Sequence, residues 1–316
     1  MKSKNITLIA GGVGGAKLAE GLDAIENINL SVIGNIADDD IFHGLWVSPD
    51  IDTLTYSLAK IINRENGWGL SDESFNSLSM LSKLNEDTWM TLGDKDFGLH
   101  IYRTMRRNSG SRPSDIAKDI SNAFGIKSNI ILPTDDIVQT KLLTSKGWMN
   151  FQEYFVKEKC KPKISSIKFE GIEKALPTKE CIGSIQNADL IILAPSNPLV
   201  SLNPIIQLPG IREILTNANA PKISISPFIG NKTIKGPANK MMEELGKKPN
   251  AIGFAEIFAD IIDLYFIDES DKDLEKDIQK IIKNIFFTNI LMKNQKDKFN
   301  LSSLILEISE KLNRNY

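Results

Sequence analysis

Ile6-Thr7-Leu8-Ile9 followed by Gly11-Gly12-Val13-Gly14-Gly15-Ala16-Lys17 and Leu18-Ala19-Glu20-Gly21-Leu22 is the stretch that decides the fold. A short apolar run passes through a glycine turn into apolar residues at helical spacing, which reads as buried strand, tight turn, helix. Glycines let a backbone approach a ligand closely, and the open N–H groups and dipole of a helix start favour a phosphate. Lys17 adds a formal positive charge just inside the helix. The third glycine is misplaced for the dinucleotide fingerprint, and the P-loop ending Gly-Lys-Ser/Thr is absent. A glycine turn of this kind also serves as a plain tight connection between strand and helix.

The next elements extend the pattern. Leu30-Ser31-Val32-Ile33-Gly34-Asn35 reads as a second buried strand running into the acidic turn Ile36-Ala37-Asp38-Asp39-Asp40. Strand, helix, strand at this spacing predicts parallel pairing through a right-handed crossover. Ligands of such sheets bind beyond the carboxyl ends of the strands, so the glycine turn and the Asp38–Asp40 turn fall on one rim. Ser48-Pro49-Asp50-Ile51-Asp52-Thr53 then leads into a helix predicted from Leu54 to Ile62. Asp50 and Asp52 at its start suit capping of the helix dipole. They also suit a divalent metal, since Mg²⁺ is typically held by one or two carboxylates together with substrate phosphates and water. Asp52 is expected on an exposed rim.

The 316 residues are 41% hydrophobic and 25% charged, with a net charge of −2. These values are ordinary for a globular chain and give no reason to expect nucleic acid or an anionic membrane as partner. Two cysteines, Cys160 and Cys181, lack metal-site spacing and are expected to be plain thiols in a reducing compartment. No apolar run is long enough to span a bilayer, and the N-terminus lacks a signal-peptide pattern, so a cytoplasmic location is expected. The two histidines, His43 and His100, offer no Ser-His-Asp order.

The fold class expected is α/β: a three-layer, Rossmann-like and mostly parallel sheet in a single domain spanning 1–316. Its core is expected over about 1–65 and 165–295. An insertion over about 66–164, largely helical, is expected to cover the ligand edge and to contribute to homodimer contacts. Within it Leu92-Gly93-Asp94-Lys95-Asp96-Phe97-Gly98 is a polar turn. The helix carrying His100 and Arg103 reads as a solvated charged face. Ile130-Ile131-Leu132 and Trp148 to Phe155 read as strands. Regular order resumes with the strand Leu190-Ile191-Ile192-Leu193-Ala194, ending in Pro195-Ser196-Asn197-Pro198. Another strand, Lys222-Ile223-Ser224-Ile225-Ser226, follows. Lys235 and the start of the helix after Gly236-Pro237 are placed to face a second phosphate. Leu264-Tyr265-Phe266-Ile267 is a late strand, and the tail from Asp271 to Asn315 has helical spacing and a structural role.

Eight motifs in order resemble the 2-phospho-L-lactate transferases of deazaflavin coenzyme (F-420) biosynthesis. They are the glycine turn Gly11–Lys17, Asn35-Ile36-Ala37-Asp38-Asp39, Ser48–Thr53, Trp68-Gly69, Leu92–Asp96, Ala194–Pro198, Leu208-Pro209-Gly210-Ile211-Arg212 and Ser226-Pro227-Phe228-Ile229-Gly230. They cover the chain to about residue 260, and jointly they are specific. The resemblance implies a Mg²⁺-dependent transfer to the terminal hydroxyl of Fo (7,8-didemethyl-8-hydroxy-5-deazariboflavin). The donor would be a guanosine diphosphate carrying lactate or enolpyruvate on its distal phosphate. GMP would be released, leaving coenzyme F-420-0 or its dehydro form.

By that resemblance Gly11, Gly12, Gly14, Gly15, Lys17, Ser196 and Asn197 hold the donor phosphates, with Asp50 and Gly230 also at the binding site. Asp39, Asp52 and Asp38 are the expected metal ligands, with Asp39 and Asp52 leading and Asp50 a further candidate beside Asp38, and Asp39 and Asp52 are the expected catalytic carboxylates. Asp94 and Asp96 help hold Fo. Gly14-Gly15-Ala16 follows the bacterial form of the first loop, which tilts the donor toward enolpyruvate. Phe97 stands where archaeal members often place an arginine that meets Fo.

Two other readings bear on the same residues. A non-catalytic regulator that binds nucleotide sugars, of the related gluconeogenesis-factor-like family, shares the glycine opening but not the Trp68-Gly69 and Leu92–Asp96 set. A nicotinamide-dependent dehydrogenase is disfavoured by the fingerprint spacing.

Overall fold

The computed structural model describes residues 3–313. Seven strands form the central sheet: β1 (Lys4–Ala10), β2 (Ile28–Gly34), β3 (Asn129–Ile131), β4 (Leu190–Leu193), β5 (Lys222–Ile225), β6 (Leu264–Ile267) and β7 (Ile285–Phe287). Their order is β7-β6-β5-β4-β1-β2-β3, and every neighbouring pair is parallel. The sheet grows outward in both directions from the β1–β4 boundary. That boundary is therefore a topological switch point, where the loops leaving adjacent strands diverge and open a crevice.

Strands in such a sheet must be apolar on both faces. Leu8, Val32, Ile192, Ile223 and Phe266 pack on one side against helices α1 (Gly12–Asp23) and α2 (Pro49–Leu58). Ile9, Ile33, Ile191, Leu193 and Ile267 pack on the other against Lys179–Gln186, Ile211–Thr216 and Ala251–Phe258. This is the expected three-layer α/β arrangement.

Three expectations need correction. The span 66–164 is not wholly an insertion, because β3 lies inside it and pairs with Ser31–Ile33 of β2. Around β3 it does hold helices, including α3 (Asp94–Asn108) and Pro113–Ala123, but also most of a three-stranded antiparallel sheet that runs on to Glu170. The strand expected over Trp148–Phe155 stops at Asn150. Its remainder turns helical, which brings Phe151 and Phe155 into a stack with centroids 5.5 Å apart. The tail is not uniformly helical, since Ile285 belongs to β7 and the long C-terminal helix, α4 (Gln295–Asn313), begins later. The predicted end of that tail, Asn315, lies outside the described residues.

Helix α4 lies against α1, and Gly21 permits the contact. A Cβ at Gly21 would sit 2.4 Å from the Lys298 carbonyl oxygen and from Ser302 Oγ. Beside it the enclosed Glu20 carboxylate meets Lys298 Nζ at 2.6 Å and Arg64 Nη1 at 2.7 Å. Because backbone rather than a flexible side chain opposes the added methyl, Gly21→Ala should cost about 1–3 kcal/mol. Urea unfolding should show a lower midpoint at unchanged slope. A midpoint equal to or above the parent's would contradict this packing.

Candidate functional site

The glycine turn lies at the switch point, pressed against the loop that leaves β4. Ser196 Oγ donates to the Gly11 carbonyl at 2.7 Å, and the Gly11 N–H reaches the same hydroxyl at 3.2 Å. A Cβ on Gly14 would stand 2.2 Å from the Pro195 carbonyl oxygen, so this glycine is required by close approach. Gly12 is required by conformation instead: its φ is +63° and nothing lies within 4 Å of its Cβ position. It therefore leaves the turn open on the ligand side.

Asn35 fastens this corner. Its side-chain amide donates to Asp50 Oδ2 at 3.0 Å and to the Val200 carbonyl at 3.3 Å, while its side-chain carbonyl accepts from Ala37 N–H at 3.0 Å. The acidic turn after β2 and the first turn of α2, separated in sequence by the hairpin Asp40–Phe42 and Leu45–Val47, thereby meet below the glycine turn.

The four acidic candidates divide into two pairs. Asp38 and Asp50 border the main cavity, and both are buried. Burial, then the charge of Asp50, then that of Asp39 hold the Asp38 carboxyl well above the usual carboxylate range. Burial likewise raises Asp50. Among the described residues Asp38 Oδ1 has no hydrogen-bond partner, and neither has Asp39 Oδ1, which lies off this cavity. Two crowded carboxylates, one with an orphaned oxygen, fit a divalent cation, which would supply the missing positive charge. Among the described residues no three His, Cys, Asp or Glu groups converge as a metal cage. A cation here would thus draw its other ligands from phosphate and water.

Asp39 and Asp52 behave differently from expectation. Asp39 does not border the main cavity. Its Oδ2 accepts from Ser48 Oγ at 2.7 Å and Trp46 Nε1 at 3.0 Å, and it faces a small separate void beside Arg103 and Arg107. Burial raises its pKa to about 7. Asp52 does border the cavity but is only 5% exposed, not on an open rim. Both its oxygens are held by the Arg103 guanidinium, Oδ2 at 3.2 Å from Nη1. With its charge already paired, Asp52 is a weaker metal ligand than Asp38 or Asp50. His100 and Arg103, read from sequence as a solvated face, are instead 1% and 6% exposed. They form the wall behind Asp52.

The cavity above these groups holds about 580 Å³, within the range of small-molecule sites. Lys17 borders it and donates to the Met292 carbonyl at 2.8 Å; burial, then Lys298 and Lys235, lower its pKa. Lys235 reaches across to the Asn66 carbonyl at 2.8 Å and joins the same border. Asp96 accepts from the Tyr56 hydroxyl at 2.7 Å, and burial raises it to about 6. Much of the remaining wall is apolar, including Trp68, Met90, Leu92, Phe151, Phe155 and Met292.

Of the sequence candidates, Gly11, Gly12, Gly14, Lys17, Asp38, Asp50, Asp52, Asp96, Ser196 and Asn197 meet around this cavity. Others do not. Gly15 packs under the turn, where a Cβ would stand 2.8 Å from Ala10 Cβ. Asp94 anchors the start of the helix Asn76–Lys83, accepting from Ser74 Oγ at 2.6 Å and from Asn76 and Ser77 N–H at 3.0 and 2.8 Å. Its carboxylate is thus satisfied away from the cavity. Gly230 lies in a tight turn, where its N–H and that of Asn231 bind Asp271 at 3.1 and 2.8 Å. Phe97 packs with Phe42, Val47 and Leu92, off the cavity border. Sequence reading missed Tyr56, and Ile290 and Met292 in the segment after β7, as cavity residues. The i, i+4 relation of Tyr56 to Asp52 on α2 was the available signal for the first.

A parallel doubly wound sheet with a glycine turn, paired acids and an apolar cavity at its switch point defines a protein of the α/β class with a ligand-sized cavity at the carboxyl ends of its strands. Residues 6–301 match the 2-phospho-L-lactate transferase CofD family. The 2-phospho-L-lactate transferase of Methanocaldococcus jannaschii is 34% identical over 96% of this chain and 97% of its own. The phosphoenolpyruvate transferase of Streptomyces coelicolor is 34% identical over 85% and 86%. A crystal structure of a member of the UPF0052 family from Bacillus halodurans superposes with a TM-score of 0.64 at 15% identity, over 97% of this chain and 99% of that one, a likeness of fold alone. The chain belongs to the 2-phospho-L-lactate transferase CofD family and is a transferase.

The raised pKa of Asp39 makes a testable stability difference. Above about pH 4 the unfolded chain releases this proton while the folded protein keeps it to about pH 7. Its support for the fold is therefore complete at low pH and is lost as pH rises through 7. In EDTA, the unfolding free energy of Asp39→Asn relative to the parent should climb by roughly 2–3 kcal/mol between pH 5 and pH 8. A pH-independent difference would mean that Asp39 is ionised throughout.

Proposed function

We propose that the protein transfers a phosphoenolpyruvyl or phospholactyl group from a guanosine diphosphate-linked donor to the terminal hydroxyl of Fo, releasing GMP. The observation that carries this reading is the meeting of the Asp38–Asp50 pair and the open glycine turn beneath a largely apolar cavity. One end suits a pyrophosphate and the other a flat ring system. The family resemblance of the motifs supports the particular donor and acceptor.

In this reading the open face of the glycine turn at Gly12–Gly14, with Lys17, Ser196 and Asn197, holds the donor's phosphates. Asp38 and Asp50 would hold Mg²⁺, in place of the Asp39, Asp52 and Asp38 set drawn from sequence. Bound there, the ion supplies charge neutralisation to the pyrophosphate and the departing GMP. The Fo hydroxyl oxygen forms a bond to the distal phosphorus as the phosphorus–oxygen bond to GMP breaks; GMP leaves with that electron pair, and its phosphate oxygen takes up the proton the hydroxyl loses. Such a transfer asks mainly for alignment and charge neutralisation. The apolar wall around Trp68, Met90 and Phe151 excludes water and aligns the acceptor. Asp39 has no direct part, since it faces the separate void. Asp52, locked by Arg103, shapes the acceptor side rather than reacting. The first-loop sequence Gly14-Gly15-Ala16 favours the enolpyruvyl donor, whereas 34% identity to both kinds of relative favours neither.

The protein incubated with Fo, Mg²⁺ and each guanylylated donor should yield GMP and the phosphodiester by mass spectrometry. Asp38→Asn and Asp50→Asn should each lower kcat by about 100-fold or more, with folding retained. GMP release without Fo consumption, or no product from either donor, overturns the proposal.

A further inference from the structure

His100 borders the cavity, yet the transfer chemistry gives its imidazole no task. Its two nitrogens stand in different surroundings. Nδ1 lies 3.1 Å from Arg103 Nη1. A guanidinium nitrogen can only donate, so Nδ1 accepts and the ring proton resides on Nε2. A second proton on Nδ1 would set two N–H groups head to head, with Asp52 Oδ2 too distant, at 3.8 Å, to take it. Arg103 is not free to turn away, because Asp52 grips both of its Nη atoms. The tautomer is therefore fixed by the Asp52–Arg103 pair.

Nε2 has no partner among the described residues and is closed to water, so a ligand atom meets it only as the cavity wall beside it shifts to admit the ligand. A buried N–H without an acceptor is costly and rare, and it calls for a group that arrives with a ligand. The neighbouring carboxylates, Asp52 and Asp96, disfavour an anion at this wall, and the amides that suit phosphate lie at the glycine turn. We propose that His100, as a fixed Nε2–H donor, is a specificity-determining residue that hydrogen-bonds an uncharged carbonyl oxygen or ring nitrogen of the acceptor's ring system. Nε2 already carries its proton, so His100 orients the acceptor and does not deprotonate it. A ring system without an acceptor atom at that point would leave the N–H unsatisfied and be rejected. The inference rests on the reading of this cavity as the site where Fo binds.

The test uses the full chain. Because the sequence holds only two histidines, long-range ¹H–¹⁵N spectra of histidine-labelled protein resolve His100 from His43 after assignment with His43→Gln. His100 should show the neutral Nε2–H pattern from pH 6 to 8, with its Nε2 resonance moving when Fo is added. Calorimetry and steady-state kinetics then compare the parent with His100→Phe and His100→Gln. The Phe variant should raise both Kd and KM for Fo about 10-fold, the scale of one hydrogen bond, while KM for the guanylylated donor stays within about twofold. The Gln variant places an N–H near the same point and should recover most of the loss.

An Nδ1–H pattern, an unchanged affinity for Fo in the Phe variant, or an equal rise in the donor's KM overturns the inference alone. A parent protein that neither binds nor converts Fo overturns the proposed function and this inference with it.

Discussion

The buried side chain of Asn35 is the constraint on which the site depends. It follows directly on β2, and its backbone N–H binds the Ala10 carbonyl at the end of β1 at 3.0 Å. Its side chain reaches Asp50 on α2, Val200 beyond β4, and the acidic turn at Ala37. Four chain segments are thereby tied at one corner of the sheet. The hairpin pairing of Asp40 with Val47 brings the two acidic turns side by side, and the Asn35 side chain then fixes Asp50 against the corner they share. An amide is suited to the task because it donates and accepts at once and carries no charge to be compensated.

The same corner accounts for the unusual state of the acids. Asp38 and Asp50 are forced together and away from water: burial raises both carboxyls, and the charge of Asp50 raises Asp38 further. Asp52 escapes this crowding through Arg103, and Asp39 is satisfied in part by Ser48 and Trp46. Four of the five aspartates between residues 38 and 52 thus come to have distinct environments. One pair faces the ligand cavity in want of positive charge, one residue is locked by its own cation, and one is set aside in a smaller void.

Much of the fold was legible because the apolar runs of β1, β2, β4, β5 and β6 are short, continuous and bounded by turn residues. The Asn129–Ile131 strand was harder to place. Three residues at a sheet edge carry too little pattern to announce which sheet they join, and its pairing with β2 spans about a hundred residues of chain. In the site, the glycine turn and Ser196 were readable from local chemistry. The separation of Asp38 and Asp50 from Asp39 and Asp52 was not. Adjacent aspartates differ there only in which way the hairpin after β2 turns them. The burial of His100 and Arg103 was equally hidden, since charges at helical spacing look alike whether they face water or a buried carboxylate. Asp94 illustrates the reverse: a motif carboxylate that capping of a neighbouring helix fully explains.

The central claim is that the paired acids below the glycine turn, and not the pair beside Arg103, are where a cation meets the donor's phosphates. Anomalous diffraction from crystals soaked with Mn²⁺ and guanosine diphosphate tests it most directly. The account predicts one metal peak beside Asp38, Asp50 and a phosphate oxygen, with the diphosphate against the open face of the Gly12–Gly14 turn. A peak at Asp39 or Asp52 with that pair unoccupied would contradict it.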